Sequence, residues 1–151
     1  MNRTLLNDPE KRNFLILDVA LALAVDNMNH FLSLENMEVV HIDEHTDAAQ
    51  EAWETIERQP ESYLQITANI NEKAFDIMQS FVQTQLAEEG EQDLKATLIK
   101  ALKESRPFAK FRYILDDKPI YLAKWYLYRD DCYKKQARQW LINNGLLEDN
   151  L

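Results

Sequence analysis

Glycine is nearly missing from this chain of 151 residues, which holds two, Gly90 and Gly145. Loops that wrap phosphate need glycine where backbone amides approach the ligand, so neither a Walker loop nor a dinucleotide-binding fingerprint can be drawn. A nucleophile elbow of the G-x-S-x-G kind is excluded on the same ground, and Ser33, Ser62, Ser80 and Ser105 have no such context. Cysteine is reduced to Cys132. One thiol cannot staple the chain to itself, a usage that suits a reducing cytoplasm. No histidine stands near it in sequence, so it reads as a small apolar residue and not as a nucleophile. Long apolar runs are absent too. The segment Phe14–Val25, FLILDVALALAV, is well short of the roughly 20 residues that span a bilayer. Asp18 inside it, with Asp8 and Glu10 upstream, argues against a secretory signal. Repeats and low-complexity tracts are not found, and no membrane association is expected.

What remains is ordinary globular material, 46% hydrophobic and 28% charged. A chain of this length buries roughly 70% of its unfolded surface as one domain. The expected organisation is a loose N-terminal extension over residues 1–13 and a single globular domain over 14–151. Its predicted class is α+β: a mostly helical domain with a small antiparallel sheet, made of a hairpin plus a third strand, and a long C-terminal helix. Phe14–Val25 is predicted to be a buried helix with Asp18 near its start and Leu17, Leu21 and Ala24 inward. His30–Ile42 is predicted to be the hairpin, turning at Glu35-Asn36-Met37-Glu38. Asn36 tolerates positive φ and Met37 does not do so cheaply, which argues against a tight Asn-Gly type of turn. A short helix over Asp47–Gln59 and a third strand over Tyr63–Thr67 follow. Next come a helix capped by Asn71 and ended by Gly90, another over Asp93–Ser105, and a short one marked by Phe108, Phe111 and Leu115. The long helix is predicted over Pro119–Asn144, with proline tolerated in its first turn and Gly145 as its stop.

Aromatic rings crowd the C-terminal third. Nine of the chain's six Phe, six Tyr and three Trp fall between Pro107 and Leu146. Charge is uneven as well: Met1–Ser105 holds 8 basic and 20 acidic residues, whereas Arg106–Leu151 holds 9 and 6, within a net charge of −9. The candidate binding surface is therefore Phe108, Phe111, Arg112, Lys124, Trp125, Tyr128, Arg129, Arg138 and Trp140. Aromatic residues beside cations stack unpaired bases and hold phosphates. Against that use, an acidic chain repels phosphate backbones at long range, and most of these rings recur at the three-and-four spacing of a helix core. Packing is the preferred reading.

One other cluster suggests chemistry, His41-Ile42-Asp43-Glu44-His45. On an extended strand His41, Asp43 and His45 would share one face and offer two imidazoles and a carboxylate to a divalent metal. The alternative is a solvated strand end running into a polar loop. That reading is preferred, with no metal, cofactor or catalytic residue assigned.

Trp125-Tyr126-Leu127-Tyr128, Ala137-Arg138-Gln139-Trp140-Leu141 and Asn144-Gly145 resemble the C-terminal signature of a bacterial family, uncharacterised protein family 158. Phe108-Ala109-Lys110-Phe111 is similar to its F-x-x-F element. Phe31–Ile42 resembles its strand-turn-strand, and Gln59–Leu64 its next strand entry. The likeness covers nearly everything after Leu17. Met37 departs from it, standing where the family tends to have glycine in the turn, and the His41–His45 cluster is not part of it. The resemblance implies no activity, cofactor or catalytic residue. The leading expectation is a small non-catalytic interaction or regulatory module of the bacterial cytoplasm, acting on a protein partner or by self-association. Single-strand nucleic-acid binding through the cationic aromatic region is the alternative, and a metal- or carboxylate-dependent enzyme the third.

Overall fold

The computed structural model describes residues 8–25, 27–67 and 74–148. They form helices α1 (Pro9–Ala24), α2 (Ala48–Arg58), α3 (Ala74–Gln85), α4 (Gln92–Leu102), α5 (Pro107–Asp116) and α6 (Pro119–Asn143). Strands β1 (Asn29–Ser33), β2 (Val39–Ile42) and β3 (Tyr63–Gln65) make one antiparallel sheet in the order β2-β1-β3. The α+β class, the hairpin, the third strand and the long C-terminal helix are all present. By compactness the chain divides into two units, Met1–Asn69 with Tyr133–Leu151, and Ile70–Cys132.

In the first unit the pleat sends alternate residues of β1 to opposite faces, and both faces are covered. Leu32 packs with Val39, Leu64 and Ile66 against Leu15, Ile16, Val19 and Ala20 of α1 and against Trp140 and Leu141 of α6. Phe31 and Ile42 pack on the other side against Ala49 and Ile56 of α2, with Trp53 edge-on to the Phe31 ring at 5.4 Å between centroids.

Two expectations for α1 need correction. Of the expected loose extension, residues 1–7 lie outside the described residues, and Pro9–Asn13 are helical. Asp8 supplies the reason: its carboxylate accepts the Glu10 amide at 3.0 Å, and Pro9 follows at a first-turn position where its missing N–H costs nothing. Asp18 is thus in mid-helix. Leu17, Leu21 and Ala24 face outward, while Leu15, Ile16, Val19, Ala20 and Ala22 are buried. A run this apolar has no single favoured face by periodicity alone, and the sheet selects the side away from Asp18.

The hairpin closes over Leu34–Met37, with Ser33 donating its amide to Glu38 at 2.9 Å and Met37 donating to Ser33 at 2.8 Å. Met37 takes φ +58°, the left-handed conformation that glycine occupies without strain. Its side chain rests against the α1 core, and that contact accompanies the unfavourable backbone.

In the second unit Phe81 of α3, Phe111 of α5 and Trp125 of α6 are buried together. Their rings meet edge to face at 5.0 Å (Phe111–Trp125) and 5.4 Å (Phe81–Trp125), the geometry that ring quadrupoles favour. The expected Asn71 cap lies outside the described residues. Gly90 does not end α3, which stops at Gln85; it sits in a 3-10 turn over Glu89–Glu91 that leads into α4. Gly145 performs its expected role. With φ +72° it lets Leu146 donate to Leu141 at 2.9 Å while Gly145 itself donates to Ile142 at 3.0 Å, and buried Leu146 completes a Schellman cap.

Candidate interaction surfaces

The nine C-terminal candidates separate into three environments. Phe111 and Trp125 belong to the aromatic core, and Tyr128 joins it at 5.5 Å from Phe81 while its hydroxyl pairs with Ser80. Trp140 is buried in the first unit beside Ala137, and half-buried Arg138 is on the same helix. Phe108 alone among the candidate rings is exposed.

Four cations of the second unit are engaged. Arg112 donates to Asp116 at 2.8 Å and Arg129 to Asp130 at 3.2 Å, and both guanidinium groups lie over the Tyr126 ring, at 5.3 and 4.9 Å from its centroid. Asp130 is thereby taken by its neighbour in the chain. Lys110 donates to Glu104 at 2.8 Å, which holds that carboxyl below its usual range. Lys124 lies 3.8 Å from Glu91 and over the Tyr121 ring at 5.4 Å. Glu91 is a buried carboxylate with work of its own: it accepts the Glu88 amide at 3.2 Å in a capping box and hydrogen-bonds Tyr121, raising that phenol's pKa. These groups form three separate polar clusters. Among the described residues of this unit, Phe108 and Tyr113 are the exposed rings, both on α5.

The His41–His45 cluster resolves differently from a metal set. β2 ends at Ile42, so Asp43 leaves the pleat and its carboxylate accepts the His45 amide at 3.0 Å. Among the described residues no group of three or more His, Cys, Asp or Glu side chains converges as a metal would require. His41 instead meets its cross-strand partner, His30, with Nδ1 to Nδ1 at 2.7 Å. Buried His30 donates from Nε2 to the Val25 carbonyl at 2.7 Å, since a carbonyl only accepts. With His30 neutral, its Nδ1 accepts and His41 donates to it. Partial burial, and then the charge of His30, lower the His41 pKa, against an opposing pull from Asp18.

Among the described residues, two groups of apolar side chains open to solvent stand out. On α1, Phe14, Leu17, Leu21 and Val25 at its C-cap are 59%, 41%, 63% and 39% exposed, one continuous stripe opposite the buried face. The sequence reading missed it by turning the helix the wrong way. Asp18 was the available signal, because a carboxylate in mid-helix marks the outward side, and Leu17 and Leu21 share that side with it. In the second unit an open groove of about 670 Å³ is lined in part by Leu94, Ile114 and Pro119, with Tyr113 and Ile120 78% and 73% exposed at its edge.

Among the described residues no helix is long and apolar enough to cross a membrane. The family described as Uncharacterised protein family (UPF0158) matches residues 11–148. Over 130 residues the chain is 31% identical to UPF0158 protein PA5073 of Pseudomonas aeruginosa, covering 85% of this chain and 81% of that relative. No solved structure matches the chain.

Proposed function

The chain belongs to the uncharacterised protein family UPF0158, whose description carries no activity, and we propose from its surface that it is a non-catalytic interaction module of the bacterial cytoplasm. One observation carries this reading: the four-residue apolar stripe on α1, which stays uncovered although each of its side chains gains by leaving water. A contiguous exposed apolar patch rimmed by polar groups is the mark of a protein contact. Helix faces of this type are read by a partner at i, i+3 and i+7 anchors, the spacing of Phe14, Leu17 and Leu21. The cytoplasmic assignment is supported by the single cysteine.

Nucleic-acid binding draws less support. Arg112, Lys124 and Arg129 each face a carboxylate, and a phosphate would have to displace it. The test is a photo-activatable phenylalanine analogue in place of Leu17, introduced in the chain's own cell. Irradiation is expected to yield a discrete cross-linked protein adduct. A chain that forms none, with the same analogue inert at Phe14, overturns the interaction reading.

A further inference from the structure

The turn between β1 and β2 closes against the preference of its own backbone. Ser33 donates its amide to the Glu38 carbonyl at 2.9 Å, and that carbonyl comes within reach because Met37 turns the chain through φ +58°. Glycine takes this conformation freely; a methionine is strained in it. The side chain supplies the offset. Its thioether packs on the cluster that holds Ile16, Leu32 and Trp140. Met37 is only half-buried, and Glu35, Asn36 and Glu38 around it are exposed, so a molecule as small as hydrogen peroxide reaches the side chain.

We infer that Met37 is a redox-sensitive latch: its thioether keeps the hairpin turn closed, and oxidation of the sulfur to the sulfoxide opens it. A hydroperoxide is the oxidant. It transfers one oxygen atom to sulfur; the S–O bond forms as the O–O bond breaks, the sulfur is oxidised by two electrons, and hydrogen peroxide leaves as water. The sulfoxide is polar, and its oxygen would lose water on entering an apolar cluster. The side chain therefore moves to solvent, and the left-handed backbone loses the packing that offset it. Met37 relaxes to negative φ, which carries the Glu38 carbonyl away from Ser33 and breaks the hydrogen bond that closes the turn. The cross-strand pairs Phe31–Val40 and His30–His41 lie further along the ladder, so the opening is confined to the turn. Reduction of the sulfoxide restores the thioether and the closed turn. Three other sulfurs among the described residues lack this setting: Met78 is buried, and half-buried Met28 and Cys132 have no positive φ.

The test treats the full chain with graded hydrogen peroxide, locates sulfoxide by peptide mass spectrometry and follows opening by amide hydrogen exchange. With Met37 oxidised, the Ser33 and Met37 amides are expected to exchange about tenfold faster while α3, α4 and α5 keep their protection. The thermal midpoint is expected to fall by about 4 °C. Methionine sulfoxide reductases of both stereospecificities are expected to restore both readings. Met37→Leu keeps an apolar side chain and Met37→Gly removes the strain; neither leaves a sulfur at the turn, so the same peroxide is expected to change neither. Met28→Leu is expected to respond as the unaltered chain does. A Met37 that stays reduced while Met28 is oxidised, or exchange at Ser33 unmoved by the Met37 sulfoxide, overturns the inference. A Met37→Leu chain that is equally sensitive, or a loss that the reductases do not reverse, overturns it too.

Discussion

A pair of histidines shows how much one residue's meaning depends on what stands opposite it. In the sequence His41 belongs with Asp43 and His45; in the fold it belongs with His30, because antiparallel pairing sets the two imidazoles side by side. With His30 neutral, the donor chain runs from His41 to His30 to the Val25 carbonyl. An unfolded histidine titrates near 6.5, whereas His41 in the fold titrates lower, so between those values the folded state binds fewer protons than the unfolded one. The stabilisation is therefore complete above about pH 6.5 and is lost as pH falls through the lowered value. Urea unfolding should show a lower midpoint at pH 5.5 than at pH 7.5, and His41→Gln, which keeps a donor for His30, should flatten the difference. A midpoint that rises on acidification would contradict this account of the pair. Glu91 makes a related point: as a residue in an acidic chain it looks like surface charge, yet it is buried because the Glu88 amide, Lys124 and Tyr121 replace its water.

Among the elements, the C-terminal end of α6 was the most legible. Gly145 and Leu146 spell a Schellman cap in the sequence and form one in the fold, since φ +72° is open to glycine and costly to residues with a Cβ. An added Cβ at Gly145 meets nothing within 4 Å, so Gly145→Ala isolates the backbone cost. It should destabilise by about 1 kcal/mol, lowering Tm by about 3 °C, as calorimetry would report. A change of less than a third of that would mean the cap does not hold α6. Gly90 misled by the same logic, because a glycine beyond a helical run need not be its cap; here a capping box of Glu88 and Glu91 organises the turn. The facing of α1 was misread for a different reason, Asp18 being the one polar marker in Phe14–Val25. Its core side and its open side are both apolar, and periodicity separates apolar from polar faces only when the two differ.

Over the whole molecule, net charge and ring placement bear on the same question. The chain carries −9, and of the cations from Arg106 onward Lys110, Arg112, Lys124 and Arg129 face carboxylates, three of them also lying over the Tyr126 or Tyr121 ring. Fluorescence anisotropy with a labelled single-stranded oligonucleotide should accordingly stay flat at low salt; a steep, salt-sensitive curve lost on Arg112→Ala would revive the nucleic-acid reading. The sequence by itself determined the class, the six helices, the hairpin and third strand, the terminal cap and the kinship of the chain, because propensity, capping and turn chemistry act over a few residues and are written in order. Tertiary structure decided the rest: that β1 is covered on both faces, that Phe111 and Trp125 are interior and Tyr128 half-buried while Phe14, Leu17 and Leu21 are exposed, and that His41 answers to His30. Such assignments come from contacts between segments far apart in the chain, which apolar periodicity along one helix does not record.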